Sequence, residues 1–141
     1  MNNVAFIFAR GGSKGIKNKN ITKFNGKPLI SHTIESALHS KLFKDIVVST
    51  DDDKISEISK SSGALVLSRP MELATDDSNE FLSWKHAVNT YNKVFDNFIS
   101  LPCTSPLRNF TTINNMINIY KKTQCDLLLG VTQSNHIPNF N

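Results

Sequence analysis

Arg10-Gly11-Gly12-Ser13-Lys14-Gly15-Ile16-Lys17-Asn18-Lys19-Asn20 is the stretch of this chain best equipped for chemistry. Its glycines let the backbone turn sharply and approach a ligand closely. Arg10, Lys14, Lys17, Lys19, Lys23 and Lys27 place six cations within eighteen residues, and no acidic residue precedes Glu35. Arginine offers phosphate oxygens a rigid fork of donors, and lysine a mobile point charge. Directly before this stretch, Val4-Ala5-Phe6-Ile7-Phe8-Ala9 is an uninterrupted apolar run, the pattern of a buried parallel strand. A glycine-rich, cation-lined loop leaving such a strand suits a polyphosphate. The competing reading is a solvated basic turn. For Lys17, Lys23 and Lys27 a solvated face is the expectation, because lysines are mostly exposed.

The familiar phosphate motifs do not fit. A P-loop requires a Gly-Lys pair five residues after its first glycine, where Gly11 and Gly12 have Ile16 and Lys17. The dinucleotide fingerprint fails because Ser13 stands where its second glycine belongs. With 141 residues the chain can form one domain around one core. Its net charge is +4, and much of the excess lies in the first loop rather than along a helix. That favours a compact anion over a nucleic-acid duplex. The basic cluster meets no aromatic residue before Phe24, which argues against single-strand binding as well. No stretch approaches the roughly 18 apolar residues of a spanning helix, so no membrane association is expected. Cys103 and Cys125 lack metal-ligand spacing and read as reduced thiols in a cytoplasmic protein.

The elements that must position these residues alternate in type. Pro28 to about Lys41 has Leu29, Ile30, Thr33, Ile34, Ala37 and Leu38 on one helical face, with proline in a first turn. Asp45–Thr50 reads as a second strand. Asp53 to about Ser62 reads as a helix with Ile55 and Ile58 inward and a stop at Gly63. Asp51 or Asp52 would cap it, and Asp51 otherwise faces the ligand. Ala64–Leu67 is a short third strand. Asp76 to Val94 is a third helix capped by Asp76, with Trp84 and Tyr91 in the core. Asn97–Leu101 is a fourth strand. A fourth helix starts at Thr111 or Thr112, and Asp126–Val131 is a fifth strand. The alternation predicts an α/β fold with a mainly parallel sheet covered on both faces. Ligands then collect at the carboxyl ends of the strands. Three such ends carry polar chemistry: the basic loop, Ser49-Thr50-Asp51-Asp52-Asp53, and Pro102-Cys103-Thr104-Ser105-Pro106-Leu107-Arg108.

These segments form a series with Lys19-Asn20, Gly26-Lys27-Pro28-Leu29-Ile30, Val48-Ser49-Thr50-Asp51, Arg69-Pro70, Glu72-Leu73-Ala74-Thr75-Asp76 and Thr104-Ser105-Pro106-Leu107-Arg108. Taken together and in this order, the series resembles the acylneuraminate cytidylyltransferases, the CMP-sialic acid synthetases. The resemblance covers essentially the whole chain. It implies a Rossmann-like three-layer nucleotidyltransferase fold, and transfer of CMP from CTP to a nine-carbon 2-keto sugar acid with release of pyrophosphate. It also implies magnesium as cofactor. By resemblance, Arg10 and Lys14 are catalytic. Arg10, Gly11, Gly12, Ser13, Lys14, Lys19 and Asn20 bind the nucleotide, the three consecutive backbone N–H groups cradle phosphate, and Asn20 reads cytosine. Thr104, Ser105 and Arg108 are the substrate-binding candidates. Against these stand turn roles for Thr104 and Ser105 and a structural salt bridge for Arg108. His32, His39 and His86 receive no role; His136 lies where the family approaches the sugar.

The chain departs from the family in places. Pro102-Cys103 stands where many members have Gln-Pro, and Glu80 where they often have a small hydroxyl residue near the nucleotide. The sugar is accordingly left open among N-acetylneuraminic, legionaminic and pseudaminic types. The family's metal-binding aspartates and the segment that completes its homodimer are expected beyond Asn141. On that expectation, residues 1–141 are the nucleotide-binding part of a domain whose C-terminal part is missing. A CTP- or CMP-binding fragment without turnover, a remnant that does not fold alone, and a nucleotidyltransferase for another sugar are the competing expectations.

Overall fold

The computed structural model describes residues 1–13, 15–75, 77–131 and 133. The chain runs β1 (Asn3–Phe8), a hairpin of β2 (Lys23–Phe24) and β3 (Lys27–Pro28), α1 (Leu29–Ser40), β4 (Asp45–Thr50), α2 (Asp53–Ser61), β5 (Leu65–Ser68), α3 (Glu80–Tyr91), β6 (Asn97–Ser100) and α4 (Phe110–Thr123). Single 3₁₀ turns lie at Lys19–Ile21 and Met71–Leu73.

The four long strands form one parallel sheet in the order β5-β4-β1-β6. In register, Phe6 sits opposite Val47 on one side and Ser100 on the other. β1 is buried on both faces because its residues alternate between two cores, as the pleat requires. Ala5, Ile7 and Val48 point to the face covered by Ile30 and Ile34 of α1, Ile55 of α2 and Ile113 and Ile117 of α4. Val4, Phe6 and Val47 point to the face covered by Ala87 and Tyr91 of α3. Helices on both faces of a parallel sheet make the expected three-layer arrangement. An aromatic cluster closes the second core, with Phe6 stacked on Phe98 at 4.7 Å between ring centroids and edge-on to Tyr91 at 5.8 Å. The Tyr91 hydroxyl donates to the Asp45 carboxylate, which ties α3 to the start of β4.

The hairpin turns at Asn25 and Gly26, both at positive φ (47° and 82°), the conformation that an Asn-Gly pair favours. His32 joins its ring nitrogen to the Phe24 carbonyl at 2.7 Å and holds the hairpin on α1. Gly63, at φ 94°, ends α2 as its position predicts.

Four expectations need correction. α3 starts at Glu80, capped by the Asn79 side chain, whose oxygen accepts the Phe81 N–H at 2.9 Å. The expected cap, Asp76, lies outside the described residues, and the helix ends at Tyr91, before Val94. Asn79 wins because the chain first makes the Met71–Leu73 turn, and Ser78 then donates to the Leu73 and Thr75 carbonyls, holding the segment out of helical register. α4 begins at Phe110 with Asn109 as its cap, just ahead of the expected threonines. Asp126–Val131 forms no strand. Leu127 and Val131 are 70% and 89% exposed, because no neighbouring ladder receives that backbone among the described residues. Trp84 is half-buried beside Phe8 and Phe98 rather than a full core residue.

Ile34→Ala is expected to lower the unfolding free energy by about 3 kcal/mol through loss of buried area and a residual cavity. Leu38→Ala, on the 44%-exposed side of the same helix, is expected to cost under ~1 kcal/mol. Urea denaturation of both variants checks the orientation of α1.

Candidate functional site

Sheet order places the site. From β1 the chain crosses to β4 on one side and β6 lies on the other, so the loops at the carboxyl ends of β1 and β6 diverge. The crevice between them has a volume of about 540 Å³. It is lined by Arg10, Ser13, Lys19 and Asn20 from the loop after β1 and by Arg69 after β5, then by Thr75, Ser78, Glu80 and Ser83 around the start of α3, with Ser100, Cys103 and Thr104 at the carboxyl end of β6 as its floor.

Asp51 organises the cationic wall. Its Oδ1 accepts the Gly11 N–H at 3.2 Å and lies 3.5 Å from Nη2 of Arg69. Asp52, not Asp51, caps α2, accepting the Ile55 N–H at 2.9 Å. The two adjacent carboxylates therefore divide the two roles left open from sequence. Arg69 follows β5, and its backbone N–H extends the ladder to Thr50 O at 2.8 Å. Its side chain is only 5% exposed, yet Nε and Nη2 have no hydrogen-bond partner. Burial lowers its pKa below the ordinary arginine value while Asp51 pulls it back up, and guanidinium stays charged. A buried guanidinium with unspent donors beside a cavity is equipped to receive an anion or a carbonyl-rich ligand.

The basic loop needs glycine at Gly11 for space, not for φ. A Cβ there would stand 2.7 Å from Oδ2 and 3.0 Å from Cβ of Asp52. Gly12 and Gly15 have open space, and none of the three has positive φ. Of the three expected phosphate-cradling N–H groups, Gly11 donates to Asp51 and Ser13 to the Gly11 carbonyl at 3.0 Å. Only the Gly12 N–H is uncommitted among the described residues. Asn20 is buried in the Lys19–Ile21 turn, where its Nδ2 donates to the Arg10 carbonyl at 3.1 Å and leaves Oδ1 available. Lys14 lies outside the described residues.

The loop after β6 is less uniform. Thr104 lines the crevice; Ser105 and Arg108 do not. The Arg108 guanidinium turns back on its own loop and donates to the Pro102 carbonyl at 3.2 Å, while Ser36 of α1 donates to the Arg108 carbonyl at 3.0 Å. Neither a ligand-facing position nor an ion pair is seen for it among the described residues. Lys27 pairs with Glu35 at 2.7 Å, and Lys17 and Lys23 are exposed, as expected of a solvated face. Cys103 is buried, and burial pushes its thiol up to about 12, against the opposing pull of Arg108 and Lys19. It is a packing residue of the floor, not a nucleophile. Sequence reasoning quoted Arg69-Pro70 in the family series but gave Arg69 no role in the site; its position at a strand end was the further signal available.

An α/β sheet of this order, with a cationic crevice at its switch point, defines a nucleotidyltransferase-type fold. A solved CMP:2-keto-3-deoxy-manno-octonic acid synthetase complexed with CTP superimposes with a TM-score of 0.74, at 20% identity over 88% of this chain and 49% of that one. The chain belongs to the cytidylyltransferase family, which it matches over residues 4–137. It is 42% identical to an N-acylneuraminate cytidylyltransferase of Escherichia coli O18:K1:H7 over 94% of this chain and 32% of that protein. It is 39% identical to a CMP-N,N′-diacetyllegionaminic acid synthase of Legionella pneumophila over 85% of this chain and 53% of that protein. The chain thus spans between a third and a half of the length of these relatives.

Gly11→Ala should lower stability by roughly 1–3 kcal/mol through overpacking against Asp52, measured by urea denaturation. Cys103 should resist a thiol reagent near pH ~8 while Cys125 reacts, both reacting after unfolding. The folded Cys103 value lies above the ordinary 9.0, so its contribution to stability is complete below pH 9.0 and lost as pH rises toward about 12. Cys103→Ala should remove that part of the alkaline loss of stability.

Proposed function

We propose that the protein to which this chain corresponds transfers CMP from CTP to a nine-carbon 2-keto sugar acid of the sialic type. The observation that carries the reading is the convergence of Arg10, Lys19 and the unspent donors of Arg69 on one crevice at the switch point. In the reaction, the anomeric hydroxyl of the sugar attacks the α-phosphorus of CTP. A new phosphorus–oxygen bond forms as the bond to the pyrophosphate oxygen breaks. Negative charge grows on the departing pyrophosphate, and fixed cations that neutralise it lower the barrier. Arg10 and Lys19 hold the triphosphate, with Lys14 joining them by family resemblance. Holding reactants in line accounts for much of the remaining rate enhancement. On this reading Oδ1 of Asn20 accepts a hydrogen bond from the amino group of cytosine, which uracil lacks.

Magnesium is part of this reading by resemblance. The described residues contain no group of three or more His, Cys, Asp or Glu side chains that could hold it. The steps assigned here therefore rest on the chain's own cations. The acceptor is drawn from the N-acetylneuraminic, legionaminic and pseudaminic types, since Pro102-Cys103 replaces the family's Gln-Pro beside the floor. No helix among the described residues is long and apolar enough to cross a membrane. A cytoplasmic homodimer is part of the same proposal.

A thermal melt with magnesium and each of CTP, GTP, UTP and ATP tests it. CTP at 100 times Kd should stabilise the fold by about 2.7 kcal/mol, and the other nucleotides should not. Arg10→Ala and Arg69→Ala should each weaken CTP binding by roughly tenfold or more, while Lys23→Ala leaves it unchanged. A cooperative melt that no nucleotide shifts would sink the reading.

A further inference from the structure

From sequence, Asp51 was open to two roles, capping α2 or facing the ligand, and it performs neither. Asp52 holds the cap, accepting the Ile55 N–H at 2.9 Å. Asp51 is not among the described residues that line the crevice. Its side chain is 12% exposed, and its contacts lead to two other strand ends. Oδ1 accepts the Gly11 N–H at 3.2 Å and stands 3.5 Å from Nη2 of Arg69. Gly11 directly follows Arg10, and Arg10 and Arg69 both line the crevice.

Arg69 is hard to keep where it lies. Burial lowers its pKa most, Asp51 opposes that effect, and the charge of Arg10 lowers it further. Arginine does not relieve the strain by losing its proton. A guanidinium that is 5% exposed and repelled by a second one turns out toward water unless a carboxylate holds it. Turning out would take Nε, now buried without a hydrogen-bond partner, away from the crevice. We propose that Asp51 is a positioning residue: it touches no ligand, and it sets nucleotide affinity by holding Arg69 at the crevice beside Arg10. The inference rests on the nucleotide reading above and adds to it that the second arginine works only with its counter-charge in place. The bond to Gly11 is the lesser part, because a neutral amide oxygen accepts that N–H as well.

Asp51→Asn separates the two contacts, since it keeps an acceptor for Gly11 and removes the charge that faces Arg69. Titration calorimetry with CTP and magnesium would be run on the full chain, Asp51→Asn, Arg69→Met, their double variant and Ile34→Ala, each below its melting temperature. Asp51→Asn should bind CTP roughly tenfold more weakly. In the Arg69→Met background the same substitution should change affinity by less than about twofold, because the residue it acts through is gone. Ile34→Ala loses stability through the core alone and should bind CTP as the unaltered chain does. Full affinity in folded Asp51→Asn, an equal loss with and without Arg69, or an equal loss in Ile34→Ala overturns the proposal. Each single variant strands a buried charge, and the double variant strands none. Should a single variant fail to fold, the double variant decides. It should fold and bind CTP about tenfold more weakly; failure to fold, or affinity equal to that of the unaltered chain, overturns the proposal. Absence of CTP binding by the folded, unaltered chain instead overturns the nucleotide reading on which the inference rests.

Discussion

The carboxylate of Asp51 holds together three strand ends that would otherwise diverge. It stands after β4, accepts the first glycine N–H of the loop after β1, and faces the guanidinium that follows β5. Both charged side chains are nearly out of water, so neither is stable there without the other. Removing one partner of a buried pair commonly costs 3–5 kcal/mol, roughly, because the remaining charge is stranded. The pair is thus poor evidence for net stability and good evidence for positioning. It keeps Arg69 beside the crevice with Nη2 held by Asp51 and Nε without a hydrogen-bond partner, and it keeps Gly11 close enough to Asp52 that no Cβ fits between them.

This arrangement depends on where β1 lies. A central strand buried on both faces must be apolar on both faces, and Val4 to Ala9 meets that demand. Its flanking neighbours then lead their loops in opposite directions, which opens the crevice without any helix having to move aside. The aromatic packing of Phe6 against Tyr91 and Phe98 fixes α3 over one face, and α3 in turn brings Glu80 to the crevice. A single strand thereby links the two cores to the basic loop and to the start of α3 at the crevice.

The legible parts of the sequence were those governed by local patterns. β4 occupies the expected Asp45–Thr50, and Gly63 ends α2, because alternation, apolar runs and a positive φ are all short-range demands. The misread parts were decided by partners distant in sequence. Asp126-Leu127-Leu128-Leu129-Gly130-Val131 has the composition of a strand, but a strand also needs a ladder to join. The start of α3 was offered several capping residues within a few positions, and the hydroxyl of Ser78 chose among them by binding Leu73 and Thr75. In the crevice, Arg10, Lys19, Asn20 and Thr104, singled out by resemblance, are among the lining residues. Arg69 was quoted in the same series without a role, since its significance comes from Asp51 on the neighbouring strand end. Arg108 carried a motif, and its guanidinium donates to the Pro102 carbonyl of its own loop while Arg108 itself is not among the lining residues.

The use of N–H groups in the basic loop sets this site apart from a P-loop. In a P-loop, successive backbone amides cradle the phosphates and the anion completes their hydrogen bonding. Here two of the three amides at Gly11–Ser13 are satisfied by the protein before any ligand arrives. The loop gains rigidity from those bonds and gives up most of its capacity as an amide nest. On the proposed reading, phosphate falls to side-chain cations on two different strand ends, Arg10 and Lys19 after β1 and Arg69 after β5, and to the one uncommitted amide of Gly12. Flexible or buried cations grip charge rather than a fixed shape, which leaves them poorly suited to telling one triphosphate from another. Discrimination among nucleotides then falls to groups other than these cations and amides, and Asn20, whose Nδ2 is spent on the Arg10 carbonyl, keeps its Oδ1 acceptor for that purpose.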